Sequence, residues 1–230
     1  MSQPNYCIID PGSLPRKLSK EHGRYADMGA RLLKRSLPDF NYEICSPAKG
    51  DALPKPSAYD GYLIMGSEHS VNDQLPWILP LMTFIIETFR RQLPLVGICF
   101  GHQAIAKALG GKVAECGWIV GVEAYRDPDS GDYLKSIVYH QDQIVALPSC
   151  AQIEWTSKRC VNAALSYSAS PCWTIQSHPE FSPKFSWDLF ENTRHEPLTD
   201  AQCDQAKKEV EGFEPDLRLV EARIRETFQI

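Results

Sequence analysis

Pro94-Leu95-Val96-Gly97-Ile98-Cys99-Phe100-Gly101-His102-Gln103-Ala104-Ile105-Ala106-Lys107-Ala108-Leu109-Gly110-Gly111 sets a cysteine between a short apolar run and a helix-forming run. Leu95, Val96 and Ile98 read as a parallel strand covered on both faces, since such strands are near-continuously apolar. Residues 102–109 read as a helix stopped by Gly110. Gly97 and Gly101 flank Cys99 at two-residue spacing. That is the pattern of a nucleophile elbow, in which glycine lets the chain turn without side-chain clash. A thiol at such a helix start faces the positive end of the helix dipole and unpaired N–H groups, a setting that favours the thiolate. The competing reading, a small buried hydrophobe, does not require glycine on both sides of the turn.

A second stretch, Trp173-Thr174-Ile175-Gln176-Ser177-His178-Pro179-Glu180-Phe181, reads as a strand over 172–177 followed by a His-x-Glu pair. In extended chain, which Pro179 favours, His178 and Glu180 leave on the same side. A carboxylate beside an imidazole fixes its tautomer and stabilises the imidazolium. Alone, such a pair is more often a structural or surface contact. With the cysteine elbow it becomes a candidate base and its orienter.

These two motifs, in this order, make the chain resemble the class I glutamine amidotransferases. Gly97-Ile98-Cys99-Phe100-Gly101-His102-Gln103 is similar to that family's nucleophile segment, and Ser177-His178-Pro179-Glu180-Phe181 to its His-Glu segment. Tyr59-Asp60-Gly61-Tyr62-Leu63-Ile64-Met65-Gly66-Ser67 resembles its oxyanion strand. Ser70-Val71-Asn72-Asp73, Pro76-Trp77-Ile78 and His140-Gln141-Asp142 are similar to the amidotransferase domain of GMP synthetase. The resemblance spans roughly residues 5–195. It implies Cys99 as nucleophile, His178 as proton carrier and Glu180 as its holder. The backbone N–H groups of Gly66 and Phe100 would form the oxyanion hole, and Ser67, Gln103, His140 and Gln141 would contact substrate. Gln103 also reads as an ordinary polar helix residue, and His140 with Asp142 as a turn between strands. Gln141 stands where synthetase members often carry glycine. His102 reads as structural, pointing away from Cys99.

Composition bounds the rest. The chain has 230 residues, 43% of them hydrophobic, enough for one well-buried α/β domain. A net charge of −5 and the lack of a basic stripe argue against nucleic acid and anionic membranes as partners. The eight cysteines form no C-x-x-C pair, so no metal is expected, and they read as reduced thiols of a cytoplasmic protein. No cofactor is expected either, and no stretch is long and apolar enough to cross a membrane.

The expected fold is α/β, a single domain whose mainly parallel, flavodoxin-like central sheet is flanked by helices, with a small antiparallel strand region and C-terminal helices. Strands are expected at 6–9, 41–45 and 61–65, and helices at 21–37 and 77–89, the first burying Tyr25, Met28, Leu32 and Leu33. Short strands follow at 112–114, 119–125, 135–139, 152–156 and 172–177, then a helix over 183–194 with Ser182 as N-cap. Residues 1–195 are expected to form the amidotransferase domain and 196–230 a helical extension packed on it. The tail stripe Leu217, Val220, Ile224 and Phe228 reads as a core contact or as a docking helix for a second copy or a partner.

Three functions fit: an enzyme releasing ammonia from glutamine, a γ-glutamyl peptidase or hydrolase with the same triad, and a non-catalytic module. The ligand is accordingly glutamine or another γ-glutamyl small molecule. No Gly-x-x-x-x-Gly-Lys-Ser phosphate loop is present, so any ammonia transfer needs a separate synthetase or acceptor subunit.

Overall fold

The computed structural model describes residues 3–128 and 130–228. Met1, Ser2, Asp129, Gln229 and Ile230, which the expected spans 1–195 and 196–230 include, lie outside the described residues. Four short strands build the first half of the sheet: β1 (Asn5–Ile9), β2 (Asn41–Cys45), β3 (Gly61–Ile64) and β4 (Leu95–Ile98). They lie in a seven-stranded sheet with β7 (Ala151–Trp155), β8 (Ala164–Tyr167) and β9 (Cys172–Ile175), in the order β2-β1-β3-β4-β9-β8-β7. The contacts from β2 through β9 are parallel. Those between β9, β8 and β7 are antiparallel. This is the α/β class expected from the sequence.

Both faces of the central strands β3, β4 and β9 are covered, which is why they read as largely apolar runs, whereas the edge strands β2 and β7 carry exposed Glu43 and Gln152. Tyr6, Ile8, Leu63, Val96, Ile98 and Trp173 point to one core, with α2 (Tyr25–Ser36) and α7 (Arg218–Phe228) above it. Cys7, Ile9, Tyr62, Ile64 and Leu95 point to the other, against α3 (Ile78–Arg90) and α4 (Phe100–Ala108). The alternation follows from side chains leaving opposite faces of a strand. Each buried Val, Leu or Ile contributes about 1.5–3 kcal/mol.

Several boundaries differ from the sequence reading. The helix expected over 21–37 is two helices, α1 (Arg16–His22) and α2, separated by Gly23 at φ +84°. Arg24 then caps α2, its N–H donating to Asp27 Oδ2 at 2.8 Å. The short strands at 112–114 and 119–125 are one strand, β5 (Lys112–Arg126), continuous through an irregularity between Glu115 and Ile119. It pairs with β6 (Tyr133–Ala146) as a separate two-stranded ribbon. Its length puts His140 within a strand, where a turn was one of the readings. β8 has no counterpart in the sequence reading, whereas α6 (Asp200–Val210) and α7 lie within the expected helical extension. Ser182 does cap α5 (Pro183–Asn192), its Oγ accepting from Phe185 N–H at 3.1 Å.

Val220, Ile224 and Phe228 of the tail are buried in the α2-side core. Phe228 meets the Tyr6 ring edge-on at 4.6 Å. Among the described residues no helix is long and apolar enough to cross a membrane.

Candidate active site

The site begins with the β4–β9 register. Gly97 pairs with Thr174 and Ile98 with Ile175, so Cys99 and Gln176 leave the sheet side by side at the same end. Cys99 N–H donates to Ile175 O at 2.9 Å, which ties the two strand ends together.

Cys99 itself takes the strained conformation, at φ +52° and ψ −104°. Such a non-glycine residue costs about 1–3 kcal/mol and persists only where its surroundings impose it. The flanking glycines serve close approach. A Cβ on Gly97 would lie 2.7 Å from the Gly101 carbonyl, and one on Gly101 would overlap the Ile64 carbonyl oxygen. Together they let α4 begin directly over β3 and β4. That helix starts at Phe100, two residues earlier than the sequence suggested. As its first residue, Phe100 has an N–H with no intrahelical acceptor. Gly66, just past β3, faces both partners: a Cβ there would sit 3.1 Å from His178 Cε1 and 3.7 Å from Cys99 Cβ.

β9 ends at Ile175, and His178 to Phe181 form a turn closed by Phe181 N–H donating to His178 O at 3.2 Å. The extended geometry expected for this pair is therefore a turn with Pro179 at its second position, a place its fixed φ suits. The pair still meets. His178 Nδ1 donates to Glu180 Oε1 at 2.8 Å, with both side chains almost wholly buried. His178 N–H is anchored to Ile137 O at 2.8 Å, and the Phe181 ring stacks on the imidazole at 3.9 Å and 10°. With Nδ1 committed to Glu180, Nε2 is the ring nitrogen left for the Cys99 sulfur. Burial opposes charge on His178, but the Glu180 carboxylate and the Cys99 sulfur outweigh it and raise its pKa to about 10. The imidazolium is thus the favoured form near neutral pH.

The remaining candidates divide. Gln103 Nε2 donates to Asp142 O at 2.9 Å and to Gln176 Oε1 at 3.2 Å. Ser67 Oγ donates to Pro11 O at 3.1 Å and accepts from His69 N–H at 3.2 Å. Both side chains are tied to protein, although both border the cavity. His140 is buried with neither ring nitrogen hydrogen-bonded, and burial pushes its pKa down to about 3. Gln141 and Asp142 also border the cavity, and Asp142 accepts from Ser70 Oγ at 2.5 Å. His102 lies in the core, its Nε2 donating to Asn162 O at 3.0 Å and its Nδ1 2.7 Å from Thr174 Oγ1. One acidic grouping, Glu21, His22 and Asp188, has metal-like spacing among the described residues, and Lys184 bridges its two carboxylates.

Cys99 and His178 share one cavity of about 520 Å³. Its outer walls come from residues that the sequence did not single out as site residues. Tyr25 opens α2, Trp118 lies at the irregularity of β5, Tyr139 is on β6, and Leu189 and Asn192 are on α5. No local motif marks them, because they meet only when these elements assemble.

A model of the class I glutamine amidotransferase domain matches residues 40–192, a span that includes Cys99, His178 and Glu180. The chain is 27% identical over 174 residues to gamma-glutamyl peptidase 3 of Arabidopsis thaliana, covering 69% of this chain and 70% of that one. It is 30% identical over 178 residues to gamma-glutamyl-L-1-hydroxyisopropylamide hydrolase of a Pseudomonas species, covering 68% of this chain and 59% of the other. In fold it is similar to a glutamine amidotransferase from Thermotoga maritima, with a TM-score of 0.71 at 19% identity and full coverage of both chains. With the domain match covering more than half its length, the chain belongs to the class I glutamine amidotransferase family of cysteine-nucleophile amidohydrolases.

Proposed function

We propose that this enzyme hydrolyses γ-glutamyl amides, glutamine and larger N-substituted forms alike, through a γ-glutamyl thioester on Cys99. The observation that carries the reading is the shared cavity. Cys99 and His178 border about 520 Å³ of space, more than glutamine alone fills. In the first step the Cys99 sulfur attacks the γ-carbonyl carbon and the oxygen takes the negative charge. The N–H groups of Phe100 and Gly66 face that oxyanion, and such a donor is worth about 3–4 kcal/mol when aimed at developing charge. His178 Nε2 gives its proton to the departing nitrogen as the carbon–nitrogen bond breaks. Water then attacks the thioester, His178 takes one of its protons, and glutamate leaves as the carbon–sulfur bond breaks. Glu180 keeps the imidazole oriented throughout.

A second reading, release of ammonia for a separate acceptor subunit, draws on the family membership. The loop after β3 favours independent action. Ser13 N–H and Oγ donate to the Glu68 carboxylate at 2.8 and 2.7 Å, and Ser70 Oγ donates to Asp142 at 2.5 Å. Ser67 Oγ also donates to Pro11 O at 3.1 Å, and these bonds support a loop whose geometry does not depend on a partner. The test is to follow ammonia from glutamine and ethylamine from γ-glutamylethylamide with the purified chain. Release of both is expected, with Cys99→Ser lowering both by about a thousandfold or more. Ammonia release alone would favour the second reading, and unchanged turnover by Cys99→Ser would remove the nucleophile assignment.

A further inference from the structure

The cavity beyond Cys99 has a chemical character that narrows the leaving group. One wall is aromatic and continuous with the imidazole: Phe181 stacks on His178, and the Tyr25 ring lies parallel to Phe181 at 6.0 Å and 16°. Trp118 and Tyr139, whose rings pack 5.0 Å apart, also border the cavity. Trp118 projects from the irregular part of β5, and Tyr139 from the paired strand β6. A lining with this much aromatic surface suits an aromatic or apolar group.

The charges of the lining point the same way. Among the described residues, no Lys or Arg side chain borders the cavity, whereas Glu68 and Asp142 do. His140 is held neutral by burial, and His69 lies within 4 Å of both Glu68 and Asp73. His178 is turned toward Glu180 and the reacting atoms. A leaving amine that carried a carboxylate, as the amino acid released from a γ-glutamyl dipeptide does, would add a second carboxylate, beyond the α-carboxylate of the γ-glutamyl group itself, to a lining that holds Glu68 and Asp142 and no Lys or Arg. Burying an unpaired carboxylate is costly.

We propose that the outer cavity takes the amine leaving group, and that the preferred amine is aromatic and has no carboxylate. This rests on the hydrolysis proposed above, and glutamine serves as the reference that separates the two. The matched probes are γ-glutamylphenethylamide and γ-glutamylphenylalanine, which differ only by the carboxylate of the leaving amine. With purified enzyme, kcat/KM for the phenethylamide should exceed that for γ-glutamylphenylalanine, and that for glutamine, by about tenfold or more. In Trp118→Ala, the ratio of phenethylamide to glutamine kcat/KM should fall by about tenfold. Trp118→Leu, which keeps apolar bulk while removing the aromatic face, serves the same comparison if the alanine variant does not fold. Equal rates or a preference for γ-glutamylphenylalanine, with glutamine still turned over, overturns the inference alone. An unchanged ratio in both Trp118 variants also overturns it. Failure to hydrolyse any of the three compounds removes the underlying reading and this inference together.

Discussion

Glu180 is the clearest place to separate positioning from substrate binding. It touches His178 Nδ1 at 2.8 Å and is wholly buried behind the ring. Glu180→Gln should therefore lower kcat by about 10²–10⁴-fold with little change in KM. The pH profile gives an independent check. Because the pKa of His178 is raised to about 10, its proton-donating form survives to alkaline pH and is lost only as pH climbs through that value. Removing the carboxylate takes away the largest influence that raises it. The alkaline limb of kcat/KM should move down toward the ordinary imidazole range of about 6.5. A limb that stayed in place, or a change confined to KM, would contradict this role. The two motifs were legible because each is local in sequence, and the structure brings Cys99 and His178 to one cavity through a single strand register, with Glu180 on His178. Ser67 and Gln103 show where such reading stops: whether a polar side chain is spent on the protein depends on Pro11, Asp142 and Gln176, which are distant in sequence.

The elbow works as a unit of strand, turn and helix. Gly101 lets α4 pass against the Ile64 carbonyl, so Gly101→Ala must push the helix start away from β3. The expected cost is about 1–3 kcal/mol of stability, measured by urea unfolding. Amide hydrolysis should fall further than that loss explains, since the Phe100 N–H moves with the helix. Full activity in a folded Gly101→Ala protein would mean that the close approach is not needed. At this scale legibility followed burial. β1 from Tyr6 onward, β3 and β4 were readable because both faces are covered and their residues are buried without interruption. The break between α1 and α2 was hidden because the apolar spacing continues across Gly23 while the backbone does not. β8 is four residues, Ala164–Tyr167, too short to show a period. The long ribbon read as fragments because the irregularity near Trp118 interrupts its alternation.

Across the whole molecule, the tail completes the core opposite the site. Phe228 packs on Tyr6 and stands within contact distance of Gly61, the first residue of β3. Cys99 follows the last residue of β4, which runs parallel to β3. Phe228→Ala should cost about 3–5 kcal/mol, read as a lowered unfolding midpoint, while the kcat/KM of the folded protein stays close to that of the parent. A loss of activity without loss of stability would show that the tail reaches the chemistry. The outer cavity, by contrast, exists only at this scale, since its walls come from α2, β5, β6 and α5 and no single stretch announces them. The placement of α7 has a practical consequence. Because its last turn lies at the end of the sheet remote from Cys99, a tether attached there would hold the protein with its cavity facing outward. Molecules immobilised on a bead or electrode through that end would all present the same mouth to the solution flowing past.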